Sequence, residues 1–207
     1  AATAQTEAAA ARRQIAAARE YLVAALGYLR PPRPRLVAIG GFSGTGKSTL
    51  AYGLAPELGA PVGARVLRSD VIRKRLAGVE PEARLPQSAY TPTAAAMVYE
   101  ELARQAAAAL AAGHAVIADA VFAKPEERQA IAAVAGAAGL PFAGLWLEAP
   151  AAVLEARVAS RRGDASDATV KVLRRQLGFD LGDLDWRRVD VSGDPESCLT
   201  AARAALG

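Results

Sequence analysis

Short apolar runs alternate along the chain with longer stretches whose apolar residues recur at helical spacing. The short runs, bounded by proline, glycine or charged residues, predict buried strands, at 36–39, 65–68, 115–118, 142–147 and 188–191. Helix-start residues and helical periodicity predict the helices that follow them. These lie at 47–58, 70–76, about 93–112, from 125 to either 136 or 139, from 150 onward, at about 167–177 and at 194–207. Strands that alternate with helices favour an α/β fold, with a parallel sheet covered on both faces.

The first 34 residues differ in character from the rest. Residues 1–13 are rich in alanine and show little pattern, and an apolar stripe then runs from Ile15 to Leu29. Because proline stops helix propagation, we expect this helix to end at Arg30, ahead of the proline-rich stretch 31–34. We therefore divide the chain into a linker or docking helix at 1–34 and one domain at 35–207. The absence of an initiator methionine is expected of a trimmed chain or of a segment of a longer polypeptide.

The run from Gly41 to Ser48 carries the main chemical signal. It fits the P-loop pattern G-x-x-x-x-G-K-[ST] at every fixed position, and it stands between a predicted strand and a predicted helix. Glycines let backbone N–H groups curl around phosphate oxygens, and the helix that follows adds its positive dipole end. Lys47 can reach the β- and γ-phosphates, and the Ser48 hydroxyl can bind Mg²⁺. We assign ATP binding to Gly41, Ser43, Gly44, Thr45, Gly46, Lys47, Ser48 and Thr49, although packing is the more ordinary role for Thr49.

A second magnesium ligand is expected where a neighbouring strand ends. Asp119 directly follows the apolar run 115–118 and suits the role of holding the metal or its waters. The alternative for Asp119 is a capping role. Asp190 also ends a predicted strand, but we rank it lower because the fifth strand lies near the base of most such sheets.

Composition narrows the class of protein. The 207 residues suffice for one domain with a full core, and an apolar share of 52%, much of it alanine, indicates abundant helix. A net charge of +4 suits anionic ligands but is too small for a nucleic-acid-binding protein without a clustered basic face. The single cysteine, Cys198, cannot form an internal disulfide, and no apolar run is long enough to span a membrane. We expect a cytoplasmic protein with no membrane partner.

Four runs of sequence resemble the P-loop kinase group, which includes gluconate kinases, chloramphenicol phosphotransferases, zeta-toxin kinases and polynucleotide 5′-kinases. They lie at 41–50, 68–73, 116–120 and 161–167. From residue 35 onward, the chain is similar above all to the predicted-kinase ATP-binding domain that is often fused behind an aminoglycoside-phosphotransferase-like domain. The resemblance implies a P-loop NTPase fold, with a five-stranded parallel sheet in the order 2-3-1-4-5, and it allows for an upstream fused domain.

The resemblance also implies an acceptor site. In this group an acidic residue after the second strand orients or deprotonates the acceptor hydroxyl, and Asp70 occupies that position. Arg73 lies one helical turn later on the same face, where a guanidinium can hold an anionic substrate group. The alternative for Asp70 is the N-cap of helix 70–76. Tyr90 and Tyr99 could line the same pocket.

Residues of about 157–175 resemble the lid of the group. Its arginines would close over the phosphates and stabilise the transferring charge; they are Arg157, Arg161, Arg162 and either Arg174 or Arg175. A solvated basic surface is the alternative for any one of them. Ser192 and Gly193 follow the fifth strand, where the adenine-contacting loop of the group lies.

These expectations amount to an ATP- and Mg²⁺-dependent kinase that transfers the γ-phosphoryl group to a hydroxyl of a small molecule, such as a sugar or an antibiotic. Segment 78–92 is expected to shape the acceptor pocket, but it does not identify the acceptor. One alternative is a regulatory ATP-binding module of a larger fusion protein. Another is a nucleic-acid 5′-kinase, which the lack of a basic stripe interleaved with aromatic residues disfavours. A guanine-specific GTPase is disfavoured because the chain contains no asparagine and lacks the base-reading pattern ending in Lys-x-Asp.

Overall fold

The computed structural model describes residues 2–29, 32–160 and 165–207. The α-helices in these ranges are α1 (Ala2–Leu29), α2 (Lys47–Leu54), α3 (Ser69–Leu76), α4 (Pro92–Ala111), α5 (Pro125–Ala137), α6 (Ala151–Ser160), α7 (Val170–Gln176) and α8 (Pro195–Leu206). The strands are β1 (Leu36–Gly41), β2 (Arg65–Arg68), β3 (Val116–Asp119), β4 (Phe142–Glu148) and β5 (Arg187–Asp190). Two short 3₁₀ turns, Ala55–Glu57 and Gln87–Tyr90, lie after α2 and before α4.

The strands form one sheet in the order β2-β3-β1-β4-β5, which confirms the predicted order. Each neighbouring pair is parallel, so the loops that follow the strands emerge at the same edge of the sheet. In register, Asp119 of β3 lies opposite Ile39 of β1 on one side and Arg68 of β2 on the other. The P-loop, the start of α3 and Asp119 therefore meet at this edge.

Both faces of the sheet are buried, which explains why its central strands are apolar without interruption. Successive residues of β1 point to opposite faces. Leu36 and Ala38 belong to a cluster that includes residues of α4 and α5, whereas Val37 and Ile39 belong to a cluster that includes residues of α2 and α8. A third, smaller cluster packs α6 against α7. The helices thus form one layer on each side of the sheet.

Three helix boundaries depart from the sequence prediction by more than one residue. α1 begins at Ala2 instead of residue 15, because alanine favours a helix even where no apolar stripe exists. α2 ends at Leu54, and its predicted last turn is a 3₁₀ turn that contains Pro56. α7 begins at Val170 instead of residue 167, because the Thr169 side chain caps the helix by accepting a hydrogen bond from the third residue of α7.

The N-terminal helix α1 exposes apolar side chains, among them Tyr21, Leu22 and Leu29. Despite its length, neither it nor any other helix in the described ranges is both long enough and apolar enough to cross a membrane. The division of the chain at residue 34 stays a prediction.

Candidate active site

A cavity of about 850 Å³ lies where β1, β2 and β3 end. This volume is typical of a pocket for a small-molecule ligand. The residues assigned from the sequence that line it are Ser43, Gly44, Gly46, Lys47, Ser48, Thr49, Asp70, Arg73, Tyr90, Asp119 and Arg157. The fold therefore brings together the nucleotide, metal and acceptor residues predicted from separate parts of the chain.

Two glycines of the P-loop occupy positions where a side chain would not fit. Gly41 has a φ of 141°, and a Cβ there would lie 2.7 Å from the carbonyl oxygen of Leu147. Gly44 has a φ of 88°, and a Cβ there would lie 2.7 Å from the carbonyl oxygen of Leu154. Both values of φ favour glycine. The loop thus packs closely against β4 and α6, which fixes its position beside the cavity.

The carbonyl oxygen of Phe42 organises the turn of the P-loop. The Thr45 hydroxyl donates to it at 2.8 Å, the Thr45 N–H at 3.3 Å and the Lys47 ammonium at 3.1 Å. Thr45 is buried, so its side chain shapes the loop, and its role in nucleotide binding stays a prediction. Thr49 is exposed and lines the cavity, so the packing role considered for it is wrong.

Ser48 and Asp119 meet beside the P-loop. The Ser48 hydroxyl donates to Asp119 Oδ2 at 2.6 Å, and Arg68 Nε lies 3.5 Å from the same carboxylate oxygen. Mg²⁺ takes oxygen ligands, and this pair offers two that are close enough to contact one ion. Among the described residues no group of three or more His, Cys, Asp or Glu side chains could hold a metal. Phosphate oxygens and waters would complete the shell, so the residues present fit Mg²⁺ bound together with a nucleotide.

The Asp119 carboxylate is only 4% exposed. Its burial raises its pKa above the ordinary value of 3.8, and the nearby Asp70 carboxylate acts in the same direction. Lys47, the Ser48 hydroxyl and Arg68 oppose this increase in the pKa without cancelling it. A buried carboxylate whose ionised form is disfavoured has most to gain from a bound cation. The electrostatics of Asp119 therefore agree with a metal ligand.

Asp70 lies in the first turn of α3 and lines the cavity. The N-cap position of α3 is Arg68, and no side-chain hydrogen bond caps the helix, so the N-cap alternative for Asp70 is wrong. Arg73 stacks over the Tyr90 ring, with its Cζ 4.9 Å from the ring centroid, and donates to the carbonyl of Ala89 at 3.3 Å. Asp70, Arg73 and Tyr90 thus form one wall, here called the acceptor wall. Their roles toward an acceptor stay predictions.

Asp167 joins the acceptor wall to the segment before α7. Its Oδ1 accepts from the Lys74 ammonium at 3.1 Å, and its Oδ2 accepts from the Tyr90 hydroxyl at 2.6 Å and from the Leu85 N–H at 3.1 Å. Lys74 is fully buried, and it also donates to the carbonyl of Ala83. Burial acts to raise the pKa of Asp167, but the hydrogen bonds from Tyr90, Leu85 and Lys74 outweigh it and hold that pKa below 3.8.

The described part of the predicted lid places its arginines in different surroundings. Arg157 lines the cavity and donates to the carbonyls of Val191 at 2.8 Å and Gly193 at 2.9 Å. It therefore braces the loop that we predict to contact adenine. Of the two alternatives on α7, Arg175 lines the cavity, whereas Arg174 pairs with an acidic residue of α6.

The remaining predicted residues are not among the described residues that line the cavity. Arg161 and Arg162 lie outside the described residues. Ser192 and Gly193 are exposed, and their contact with adenine stays a prediction. The Tyr99 hydroxyl accepts a hydrogen bond from the Phe122 N–H at 3.0 Å, and Tyr99 is not among the described residues that line the cavity. The expectation that Tyr99 lines the acceptor pocket is therefore wrong.

Some cavity residues were not found from the sequence; they are Arg68, Asp167, Lys171 and Gln176. A partial signal existed for the last two, because helical spacing puts 171 with 175 and 172 with 176. The sequence does not show which face of α7 meets the cavity. Arg68 was not found because the sequence does not show the register of β2 against β3, which places Arg68 opposite Asp119.

Comparisons with other sequences place these features among related proteins. A family model described as an AAA domain, AAA_33, matches residues 36–179. Two uncharacterized proteins, Rv2004c of Mycobacterium tuberculosis and Mb2027c of Mycobacterium bovis, are each 35% identical to this chain over 184 residues. Each match covers 84% of this chain and 35% of the relative, so the chain spans about a third of the relatives' length.

Solved kinase structures are similar to this chain. A sugar kinase from Janibacter sp. HTCC2649 is 25% identical with a TM-score of 0.58, over 84% of this chain and 95% of that one. The Mycobacterium tuberculosis APS kinase CysC, solved with AMPPNP and APS, is 21% identical with a TM-score of 0.62, over 84% and 98%. A gluconokinase from Sinorhizobium meliloti is 22% identical with a TM-score of 0.57, over 84% and 91%. The last two similarities concern the fold alone.

Proposed function

Since this chain belongs to the AAA_33 family of AAA domains and to the P-loop kinase group, we propose that it is an ATP- and Mg²⁺-dependent phosphotransferase. Its acceptor is a hydroxyl group of a small molecule. The observation that carries this proposal is that one cavity holds Lys47, the Ser48–Asp119 pair and Asp70. Phosphate binding, metal binding and proton acceptance are the three tasks that phosphoryl transfer to a hydroxyl requires.

The donor side of the cavity binds ATP. Backbone N–H groups of the P-loop and the positive end of α2 hold the phosphates, and the Lys47 ammonium neutralises charge on the β- and γ-phosphates. Ser48 and Asp119 would hold Mg²⁺, which when bound offsets the charge that develops on the phosphate oxygens. Arg175, on the cavity side of α7, adds a further positive charge.

The acceptor side supplies the base. The Asp70 carboxylate accepts the proton of the acceptor hydroxyl while the hydroxyl oxygen forms a bond to the γ-phosphorus. The bond between that phosphorus and the bridging oxygen breaks, and ADP leaves with the electron pair. Because this reaction depends mostly on positioning and on charge stabilisation, the fixed place of Asp70 on the first turn of α3 is its main contribution.

The charges around the acceptor wall favour an acceptor with an anionic group. Arg73 and Lys171 both line the cavity, and the Arg73 side chain is held in place by Tyr90. A guanidinium in a fixed position suits a carboxylate or a phosphate. A sugar acid or a related sugar- or antibiotic-like compound meets this requirement and carries the hydroxyl that the reaction needs.

The test of the proposed function is Asp70→Asn. We expect this variant to bind ATP with Mg²⁺ as wild type does, measured by calorimetry, and to lose about 10²–10⁴-fold in kcat, the usual contribution of a general base. Transfer of labelled γ-phosphate from ATP to a panel of sugars, sugar acids and aminoglycosides gives the rate. Lys47→Ala is the control, because it should weaken nucleotide binding as well. Normal turnover by Asp70→Asn would refute the assigned base.

A regulatory ATP-binding module is the second candidate, and the greater length of the relatives is the observation that favours it. In that case an upstream fused domain would be the partner and the nucleotide would be sensed without transfer. Ordinary ATP affinity with no transfer to any acceptor would support this alternative. Transfer to the 5′-hydroxyl of a short oligonucleotide, tested alongside the panel, would instead support a nucleic-acid kinase.

A further inference from the structure

The Gln176 carboxamide lies between α7 and the P-loop, and the P-loop motif assigns it no role. Its Oε1 accepts a hydrogen bond from the Ser43 N–H at 2.9 Å. Gln176 is 8% exposed and Ser43 is 6% exposed, so this bond is shielded from water. Because a backbone N–H must pair with an acceptor, the bond fixes the orientation of the amide, with Oε1 toward the loop.

The other half of the amide, Nε2, remains available as a donor. Gln176 lines the cavity, and within residues 2–29, 32–160 and 165–207 its only side-chain hydrogen bond is the one made by Oε1. Nε2 is also not among the fully enclosed side-chain atoms that lack a partner in these ranges, so it keeps some accessible surface. An N–H₂ group beside a phosphate-binding loop is a suitable donor to an anionic oxygen.

The position of α7 indicates which phosphate this donor would meet. Before α7, Asp167 accepts from Tyr90 of the acceptor wall, whereas at the end of α7 Gln176 contacts the P-loop. Buried Leu173 fixes the helix between them against α6. α7 therefore runs from the acceptor wall to the donor loop. The phosphate that lies between donor and acceptor is the terminal one.

We propose that Gln176 binds the terminal phosphate of the nucleotide while it also fixes the P-loop against α7. Oε1 continues to accept the hydrogen bond from the Ser43 N–H, and Nε2 donates to an oxygen of the γ-phosphate. This inference rests on the proposed function, because it assumes a nucleoside triphosphate in the cavity. ADP lacks the γ-phosphate, so Gln176 distinguishes the triphosphate from the diphosphate.

The test compares the Kd values of AMPPNP and ADP, each with Mg²⁺, by calorimetry. Gln176→Glu keeps an acceptor for the Ser43 N–H but turns a negative oxygen toward the phosphate, whereas Gln176→Met removes both contacts. We expect Gln176→Glu to weaken AMPPNP binding roughly tenfold or more, as expected for a hydrogen bond to a charged group replaced by repulsion. Gln176→Met should weaken it less, and ADP binding should change little. Gln129→Glu, an exposed site on α5 with the same charge change, should match wild type.

Each result separates a binding role from a bracing role. If Gln176 only braces the loop, Gln176→Glu will bind AMPPNP as tightly as wild type, which would overturn the inference. Equal losses for AMPPNP and ADP would also overturn it, because the contact would then not involve the terminal phosphate. Should Gln176→Glu fail to fold, unchanged AMPPNP affinity in Gln176→Met would have the same consequence. No AMPPNP binding by the wild-type chain would instead overturn the proposed function itself.

Discussion

At the scale of single residues, Asp119 combines a functional position with a cost to the fold. Burial raises the pKa of its carboxyl above 3.8, so the ionised form is less favourable in the folded chain than in the unfolded chain. A group whose pKa is raised by folding makes its full contribution to stability at pH values below its pKa in the unfolded chain. That contribution is lost as the pH rises through the raised pKa of the folded chain. At neutral pH, without metal, Asp119 therefore opposes folding.

We predict that Asp119→Asn raises the Tm of the metal-free chain at neutral pH, because a neutral amide avoids the cost of burying a charge. The difference from wild type should shrink as the pH falls below 3.8, where both side chains are uncharged. The same variant should weaken Mg²⁺-dependent ATP binding by roughly 10–100-fold, because a metal ligand is lost. Thermal melts in EDTA and calorimetry with Mg²⁺ measure the two effects.

Asp190 provides the matched control for this prediction, because it also ends a strand but is exposed. Hydrogen bonds from the Ser192 hydroxyl and N–H hold the pKa of Asp190 below 3.8. Asp190→Asn should therefore lower the Tm slightly at neutral pH, in the opposite direction to Asp119→Asn. A lower Tm for both variants would contradict the role of burial at Asp119.

At the scale of elements, the segment 165–176 connects two walls of the cavity. Asp167 bonds the acceptor wall at one end, and Gln176 bonds the P-loop at the other. Between them, α7 packs against α6 through a small apolar cluster. Asp167 and Gln176 therefore tie both ends of this segment to the walls of the cavity.

We predict that Asp167→Asn loosens segment 78–92 and destabilises the chain by about 3 kcal/mol, because it leaves the buried Lys74 ammonium without its countercharge. Hydrogen–deuterium exchange should rise at 78–92 and change little in β1. Denaturant unfolding measures the free energy. Asp185→Asn, an exposed site in the connection between α7 and β5, should leave both measurements at their wild-type values. Unchanged exchange at 78–92 would show that Asp167 does not hold the acceptor wall.

The same variant has a pH dependence of known sign. The pKa of Asp167 lies below 3.8 in the folded chain, so its ionised form stabilises the fold at pH values above 3.8. This contribution is lost as the pH falls through the lowered pKa of the folded chain. The difference in unfolding free energy between wild type and Asp167→Asn should thus be full at neutral pH and diminish in acid. A difference that grows in acid would contradict this assignment.

At the scale of the whole molecule, a glycine in β4 lets an aromatic side chain lie directly on the sheet. A Cβ on Gly144 would lie 2.4 Å from the Trp186 ring. Trp186 packs with its ring centroid 5.1 Å from that of Phe122 and 6.0 Å from that of Phe142. All three belong to, or pack against, the cluster on the α4 and α5 face of the sheet. The packing of Trp186 against this face of the sheet therefore depends on the lack of a side chain at Gly144.

We predict that Gly144→Ala destabilises the chain by about 1–3 kcal/mol, because the new methyl group overpacks the core against the Trp186 ring. Gly136→Ala is the matched control, since a Cβ there meets no atom within 4 Å. Gly136 lies inside α5, where alanine is favoured over glycine by up to about 1 kcal/mol. Urea unfolding of both variants should show shifts of opposite sign. A neutral Gly144→Ala would mean that Trp186 can move off the sheet without cost.

The sequence by itself determined those features whose information is local. The P-loop fits its pattern within eight consecutive positions, 41–48. The strands are short apolar runs bounded by proline, glycine or charged residues. Asp119 could be assigned because it directly follows such a run. The sheet order came from the resemblance to the P-loop kinase group, and the structure confirms it.

Only the tertiary structure decided which side chains from distant parts of the chain meet. Gln176 lies 133 residues after Ser43, and Asp167 lies 77 residues after Tyr90. Contacts of this kind depend on the register of neighbouring strands and on which face of a helix turns toward the cavity. A periodic pattern defines the faces of a helix, but it does not show which neighbour each face will meet. That choice is made by packing, when the sheet and its two helical layers come together.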